Sequence, residues 1–109
     1  MSGAAIQALM NRMQGAFLAD NAKGIDTVVQ FDITGENGGK WVVTIQNQEC
    51  KVFQGTTPNP KLSLISDEQT VLAIFTGKLD GVKAYMQGRV RMVGDLSLAL
   101  KLTKLFRVN

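Results

Sequence analysis

Apolar residues recur at helical spacing at the start of the chain. Ile6, Leu9, Met10, Met13 and Phe17 fall on one side, with Gln7, Asn11, Arg12 and Gln14 on the other. This predicts an amphipathic first helix that ends near Asn21 to Gly24. From Thr27 to Thr34 the period changes to two, placing Val29, Phe31 and Ile33 opposite Gln30, Asp32 and Thr34, as in a half-buried strand. Gly35 to Gly39 then supplies a hairpin turn, and Lys40 to Gln46 returns with Trp41, Val43 and Ile45 aligned. Asn47-Gln48 makes another turn before a third strand from Cys50 to Gln54. The loop Gly55 to Pro60 holds both prolines of the chain, and Lys61 to Ile65 follows as a fourth strand.

The second half is mostly helical in pattern. Ser66-Asp-Glu-Gln69 has the form of a capping box, with Ser66 as the cap, for a helix that buries Val71, Leu72, Ile74, Phe75 and Leu79 and ends at Gly77. Asp80 is placed to cap a short helix carrying Tyr85 and Met86, with Gly88 as its stop. Arg89 to Val93 is a fifth strand, and Asp95 caps a last helix. The order of helix, four meander strands, two helices, one strand and one helix predicts an α+β fold, a mostly antiparallel five-stranded sheet with helices over one face. At 109 residues the chain is expected to be one domain, 1–109.

The last helix has more leucine than one core-facing stripe needs. Leu98, Ala99, Leu102, Leu105 and Phe106 share a face, while Leu96 and Leu100 fall well round toward the other side. The surplus requires a second apolar surface: another part of the core, a partner chain, a membrane or a ligand. The residues Gly77, Lys78, Leu79, Lys83, Ala84, Met86, Gln87, Gly88, Arg89, Arg91, Gly94, Leu98, Ala99, Leu102 and Phe106 form a G-K-L followed by an M-Q-G-R-V-R-M-V-G-D segment and a leucine-rich end. In this respect the chain resembles the sterol carrier protein 2 family from about Val29 to Phe106, densely after Ser66.

That resemblance implies an apolar tunnel between sheet and helices, and a carrier of fatty acyl chains, acyl-coenzyme A, sterol-like or isoprenoid lipid. The expected lining is Phe75, Leu79, Tyr85, Met86, Met92, Leu98, Leu102, Leu105 and Phe106, with Gln87 or the Tyr85 hydroxyl meeting a polar headgroup. Arg89, Arg91, Lys101 and Lys104 are expected to hold an anionic group near the mouth. The other reading is an accessory module that pairs with itself, as a homodimer, or with a lipid-processing enzyme. Transient membrane contact through the first helix is weakened by the scarcity of lysine on that helix.

Composition narrows the chemistry. The chain has no histidine, which removes the usual general base and the commonest metal ligand, and its one cysteine, Cys50, lies in an alternating run. No catalytic residue, metal or cofactor is expected, and Asp67 and Glu68 read as first-turn charges of a helix. Five methionines give a core of adaptable side chains. The net charge of +3 is concentrated: residues 81 to 109 hold six Lys/Arg against Asp95 alone. Anionic lipid or an acyl phosphate suits that charge, whereas no aromatic is interleaved to stack bases, so nucleic acid is not an expected partner. The N-terminus lacks a secretory pattern and the end, Phe-Arg-Val-Asn, is not a peroxisomal address, so a cytoplasmic setting is expected.

Overall fold

The computed structural model describes residues 4–36 and 38–106. Asn37 in the expected Gly35 to Gly39 turn, Arg107 and the two residues after it lie outside the described residues. In chain order the elements are α1 (Ala4–Gly15), a 3-10 turn (Ala19–Ala22), β1 (Thr27–Thr34), β2 (Gly39–Gln46), β3 (Glu49–Gln54), β4 (Leu62–Asp67), α2 (Glu68–Phe75), α3 (Gly81–Met86), β5 (Val90–Gly94) and α4 (Leu96–Leu102). The α+β class and the five strands agree with the alternation and capping patterns of the sequence.

The strands do not form the expected four-strand meander. Their order is β3-β2-β1-β4-β5, with β4 parallel to β1 and the other three pairings antiparallel. Between β2 and β3, Asn47 and Gln48 both take positive φ, 54° and 61°, which suits a tight two-residue hairpin turn. The proline-bearing loop after β3 instead carries the chain across the sheet. Gln30, buried on the face away from the helices, fixes that crossing: its amide donates to the carbonyls of Trp41 and Gly55, both at 3.1 Å, and accepts from Thr57 N at 2.9 Å. A buried amide satisfied in this way holds the loop against β1, and Lys61 N then reaches Val28 O at 2.9 Å to start the parallel strand.

The expected capping box is displaced by one residue. Ser66 stays in β4, paired with Ile33 and Val90, and its hydroxyl donates to Arg89 O at 2.9 Å. Asp67 is the cap, its carboxylate accepting from Thr70 N at 2.6 Å. The strand outlasts the sequence estimate because its ladder to β1 continues through Thr34, and the stronger acceptor then takes the helix amides. Asp80 and Asp95 cap α3 and α4 as expected.

Val29, Phe31, Ile33, Trp41, Val43, Ile45 and Leu62 point to the helical side and are buried there. α1 meets them with Ile6, Leu9, Met10 and Met13. The chain end is pinned beside α1: Leu18 N donates to Leu105 O at 2.7 Å, and the Phe17 and Phe106 rings lie 5.6 Å apart.

Two predictions follow from these joints. Gly94 has φ +117°, and a Cβ there would sit 2.4 Å from Lys61 O. Gly94→Ala is therefore expected to cost about 1–3 kcal/mol and to lower the melting temperature by several degrees; an unchanged melting curve would contradict the close approach. The Asp67 carboxyl is held below its ordinary 3.8 chiefly by the Thr70 amide, and Asp95 likewise by the Ser97 hydroxyl. Both are charged in the fold more readily than in the unfolded chain. Their stabilisation is thus complete above the ordinary carboxylate range and is lost as pH falls below 3.8 through the lowered values. Asn retains capping ability without titrating, so Asp67→Asn with Asp95→Asn is expected to flatten the acid limb of stability measured from pH 6 to pH 2. An acid limb as steep as that of the parent chain would refute the assignment.

Candidate functional site: an apolar cavity between sheet and helices

The helix side of the sheet is filled unevenly. Where α1, Leu98 and Leu105 press on it, Val29, Ile45 and Leu62 are fully buried. Toward α2, α3 and α4 a cavity of about 830 Å³ remains. Phe31, Ile33, Val43, Leu64, Val90 and Met92 form its floor, α2 contributes Val71, Ile74 and Phe75, and α3 and α4 close the remaining sides. The size lies within the roughly 300–1,000 Å³ usual for small-molecule sites.

The walls carry few polar groups. Ser66 lines the cavity, but its hydroxyl proton is engaged by Arg89 O. The Asp80 carboxylate is turned into the α3 cap, accepting from Val82 N at 2.8 Å and Lys83 N at 3.3 Å. Thr103 donates to Leu100 O at 2.7 Å. The Tyr85 hydroxyl adds a polar atom on a half-exposed ring. Such a wall favours a guest that needs little from hydrogen bonds.

Of the residues suggested by the sequence, Phe75, Leu79, Tyr85, Met86, Met92, Leu102 and Phe106 line this cavity. Leu98 and Leu105 do not. Both are buried in the core, Leu98 from α4 and Leu105 from the segment after it, which is hydrogen-bonded to Leu18. Gln87 is exposed at the C-terminal end of α3, away from the wall. Leu96, Ala99, Leu100 and Thr103 line the cavity instead, spaced along one stripe of α4. Leu96 and Leu100 are the surplus leucines of the sequence, and their position off the core stripe was the signal that identified a second apolar surface.

The four cations separate. Arg91 pairs with Ile65 and so projects from the sheet face opposite the helices. Arg89 donates from Nη2 to Thr70 Oγ1 at 3.2 Å and its charge helps keep Asp67 ionised, a structural link between β5 and α2. Lys101 and Lys104 are exposed on and just after α4, outside the wall but next to residues that form it.

Cys50 lies on the helix side of β3 opposite Ile45, half-buried against the core. Burial pushes its thiol up to about 11, which makes it a poor nucleophile near neutral pH. Among the described residues no group of three or more His, Cys, Asp or Glu is arranged to hold a metal ion, and no helix is long and apolar enough to cross a membrane.

Comparison with known proteins agrees with this architecture. Hydroxysteroid dehydrogenase-like protein 2 of Mus musculus is 32% identical over 85 residues, which cover 76% of this chain but 17% of the mouse protein. The chain therefore spans less than a fifth of that relative. The solution structure of palmitated SCP2L2 from Aedes aegypti superposes with a TM-score of 0.75 at 28% identity, covering 95% of this chain and 93% of that one. The sec-alkylsulfatase Pisa1 from Pseudomonas sp. shares the fold, with a TM-score of 0.77 at 20% identity over 92% of this chain and 16% of the sulfatase. The SCP-2 sterol transfer family profile matches residues 6–107, and the chain belongs to that lipid-binding family.

Proposed function

We propose that residues 1–109 act as one non-enzymatic carrier unit that takes an elongated apolar lipid, such as a fatty acyl chain, into the cavity between the sheet and α2, α3 and α4. The observation that carries this reading is a cavity of about 830 Å³ walled almost wholly by apolar side chains. Each methylene moved from water into such a wall contributes about 0.8 kcal/mol, so a dozen offer roughly 10 kcal/mol before the costs of association. Micromolar affinity is within reach without a dedicated polar contact. The palmitated state of the Aedes aegypti protein supports an acyl ligand. The tail rests against Phe75, Leu79, Met92 and Leu102, and a headgroup left at the mouth meets the Tyr85 hydroxyl, Lys101 or Lys104. Acyl-coenzyme A, sterol-like and isoprenoid lipids share the same tail chemistry. A cytoplasmic setting fits a carrier that moves its lipid between sites through water.

A second reading is favoured by the mouse relative, in which the matching region is a small part of a longer protein. In that reading the domain pairs with itself or with a lipid-metabolism enzyme as an accessory module, without carrying cargo.

Native mass spectrometry of the purified chain, followed by solvent extraction, separates the two. The carrier is expected as a monomer with one lipid, whereas a lipid-free oligomer that also fails to take up a fluorescent acyl probe would overturn it. A filling variant tests the location. Ala99 lines the cavity from α4, so Ala99→Trp places an indole in the space meant for the tail. Probe affinity is expected to fall at least about tenfold with the melting temperature maintained, because the ring occupies volume that is otherwise empty. Unchanged affinity in a folded Ala99→Trp protein would place the lipid elsewhere.

A further inference from the structure

Four of the five methionines, Met10, Met13, Met86 and Met92, lie among the described residues, and three of them line the cavity. They reach it from three different elements. Met13 comes from α1 and is 3% exposed, Met92 comes from β5, half-buried opposite Leu64, and Met86 comes from α3, 77% exposed. Thioether side chains therefore border the cavity from its buried side to its opening. Methionine in an ordinary core fills irregular gaps, but these three border about 830 Å³ that the chain leaves unfilled. Leucine or isoleucine would make as apolar a wall. What methionine adds is a polarisable sulfur that can give an electron pair to a peroxide oxygen.

The other sulfur of the chain is unsuited to that chemistry. Cys50 is not among the lining residues, and with its thiol pushed up to about 11 it is almost wholly protonated near neutral pH, whereas a thiol reacts with peroxide as the thiolate. A thioether needs no deprotonation. Confinement supplies the rate that a free thioether lacks: one guest in about 830 Å³ corresponds to about 2 M, roughly a millionfold above a micromolar lipid in solution.

We propose that the cavity reduces acyl hydroperoxides, the first products of oxidation of an unsaturated tail, with Met13, Met86 and Met92 as the reductants. A methionine sulfur attacks the outer oxygen of the hydroperoxide, the O–O bond breaks, and the proton on the transferred oxygen passes to the alkoxide left on the tail. The hydroperoxide becomes the alcohol and the thioether becomes a sulfoxide, a two-electron exchange in which the cargo itself is the oxidant. Each sulfur is spent once, so the chain is a stoichiometric reductant and not a catalyst. This inference rests on the carrier reading and adds to it a class of cargo and what happens to it. Met10 is the internal control, since it is 0% exposed and does not line the cavity.

The test mixes the purified chain with an equimolar amount of linoleic acid hydroperoxide, with a metal chelator present. Displacement of a fluorescent acyl probe reports how much hydroperoxide is bound, chromatography reports the hydroxy acid formed, and peptide mass mapping locates each added oxygen. Hydroxy acid is expected to form at least about a hundredfold faster than with the same concentration of free methionine. Hydrogen peroxide, which attacks from water, is expected to oxidise Met86 first. With the lipid hydroperoxide, the ratio of sulfoxide at Met13 and Met92 to that at Met86 is expected to be at least about tenfold higher than with hydrogen peroxide, and Met10 is expected to stay reduced. Met13→Leu with Met86→Leu and Met92→Leu, nearly conserving volume, is expected to lower the rate per bound hydroperoxide at least about tenfold, whereas Met10→Leu leaves it unchanged. Circular dichroism checks that the variants are folded, and the oxygen map of the parent chain decides the question where one is not. Probe displacement without hydroxy acid, a rate no greater than that of free methionine, or the same oxygen map for both peroxides would overturn the reduction and leave the carrier standing. Failure of both the hydroperoxide and the unoxidised acid to displace the probe, together with failure of the probe itself to bind, would overturn the carrier and the inference resting on it.

Discussion

One sheet face has to be covered, and the helices available cover it to different depths. α1 and the segment around Leu98 and Leu105 bring side chains into direct contact with Val29, Ile45 and Leu62, leaving almost nothing exposed. α2, α3 and α4 are 8, 6 and 7 residues long and approach the sheet only through part of their length. Between them and Phe31, Ile33, Val43, Leu64 and Met92 the cavity remains, so these side chains lack part of the contact that a filled core would give them. Buried apolar surface without neighbours forgoes dispersion contacts, so this half of the fold is stabilised less than the other.

Short helices need external support, since isolated helices of this length do not hold in water. The support is visible at each start. Asp67, Asp80 and Asp95 each take up free amides, and the junctions beside them are tied to the sheet by Arg89 on Thr70 and by Asp95 N on Lys61 O at 2.8 Å. The caps allow three small helices to stand over a gap without filling it. A guest with methylenes along its length would supply the missing contacts, which links the architecture to lipid binding more closely than any single residue does.

Much of this was legible in the sequence. The period-two runs of Thr27–Thr34 and Lys40–Gln46, the caps at Asp80 and Asp95, and the resemblance around Met86 to Gly94 led to the fold class and the family. The parallel placement of β4 was not legible, because it depends on Gln30 fastening a distant loop and no local pattern encodes that contact. Ser66 was misread as a cap since its residue type suits one, while the ladder that keeps it in β4 is a tertiary fact. At the site, helical spacing showed that Leu96 and Leu100 left the core stripe but not which stripe faced the cavity. Leu98 and Leu105 turned out to be core, and Arg91 lay across the sheet, since a strand's inward parity is set only once its partner's register is known.

The most direct measurement is intermolecular NMR between a protonated fatty acid and methyl-labelled protein. The account predicts contacts from the lipid methylenes to the methyls of Leu64, Met92, Ala99 and Leu102, which lie inside the cavity, and none to Val42 or Val93 on the far face. Contacts confined to the far face, or to exposed methyls outside the cavity, would contradict it.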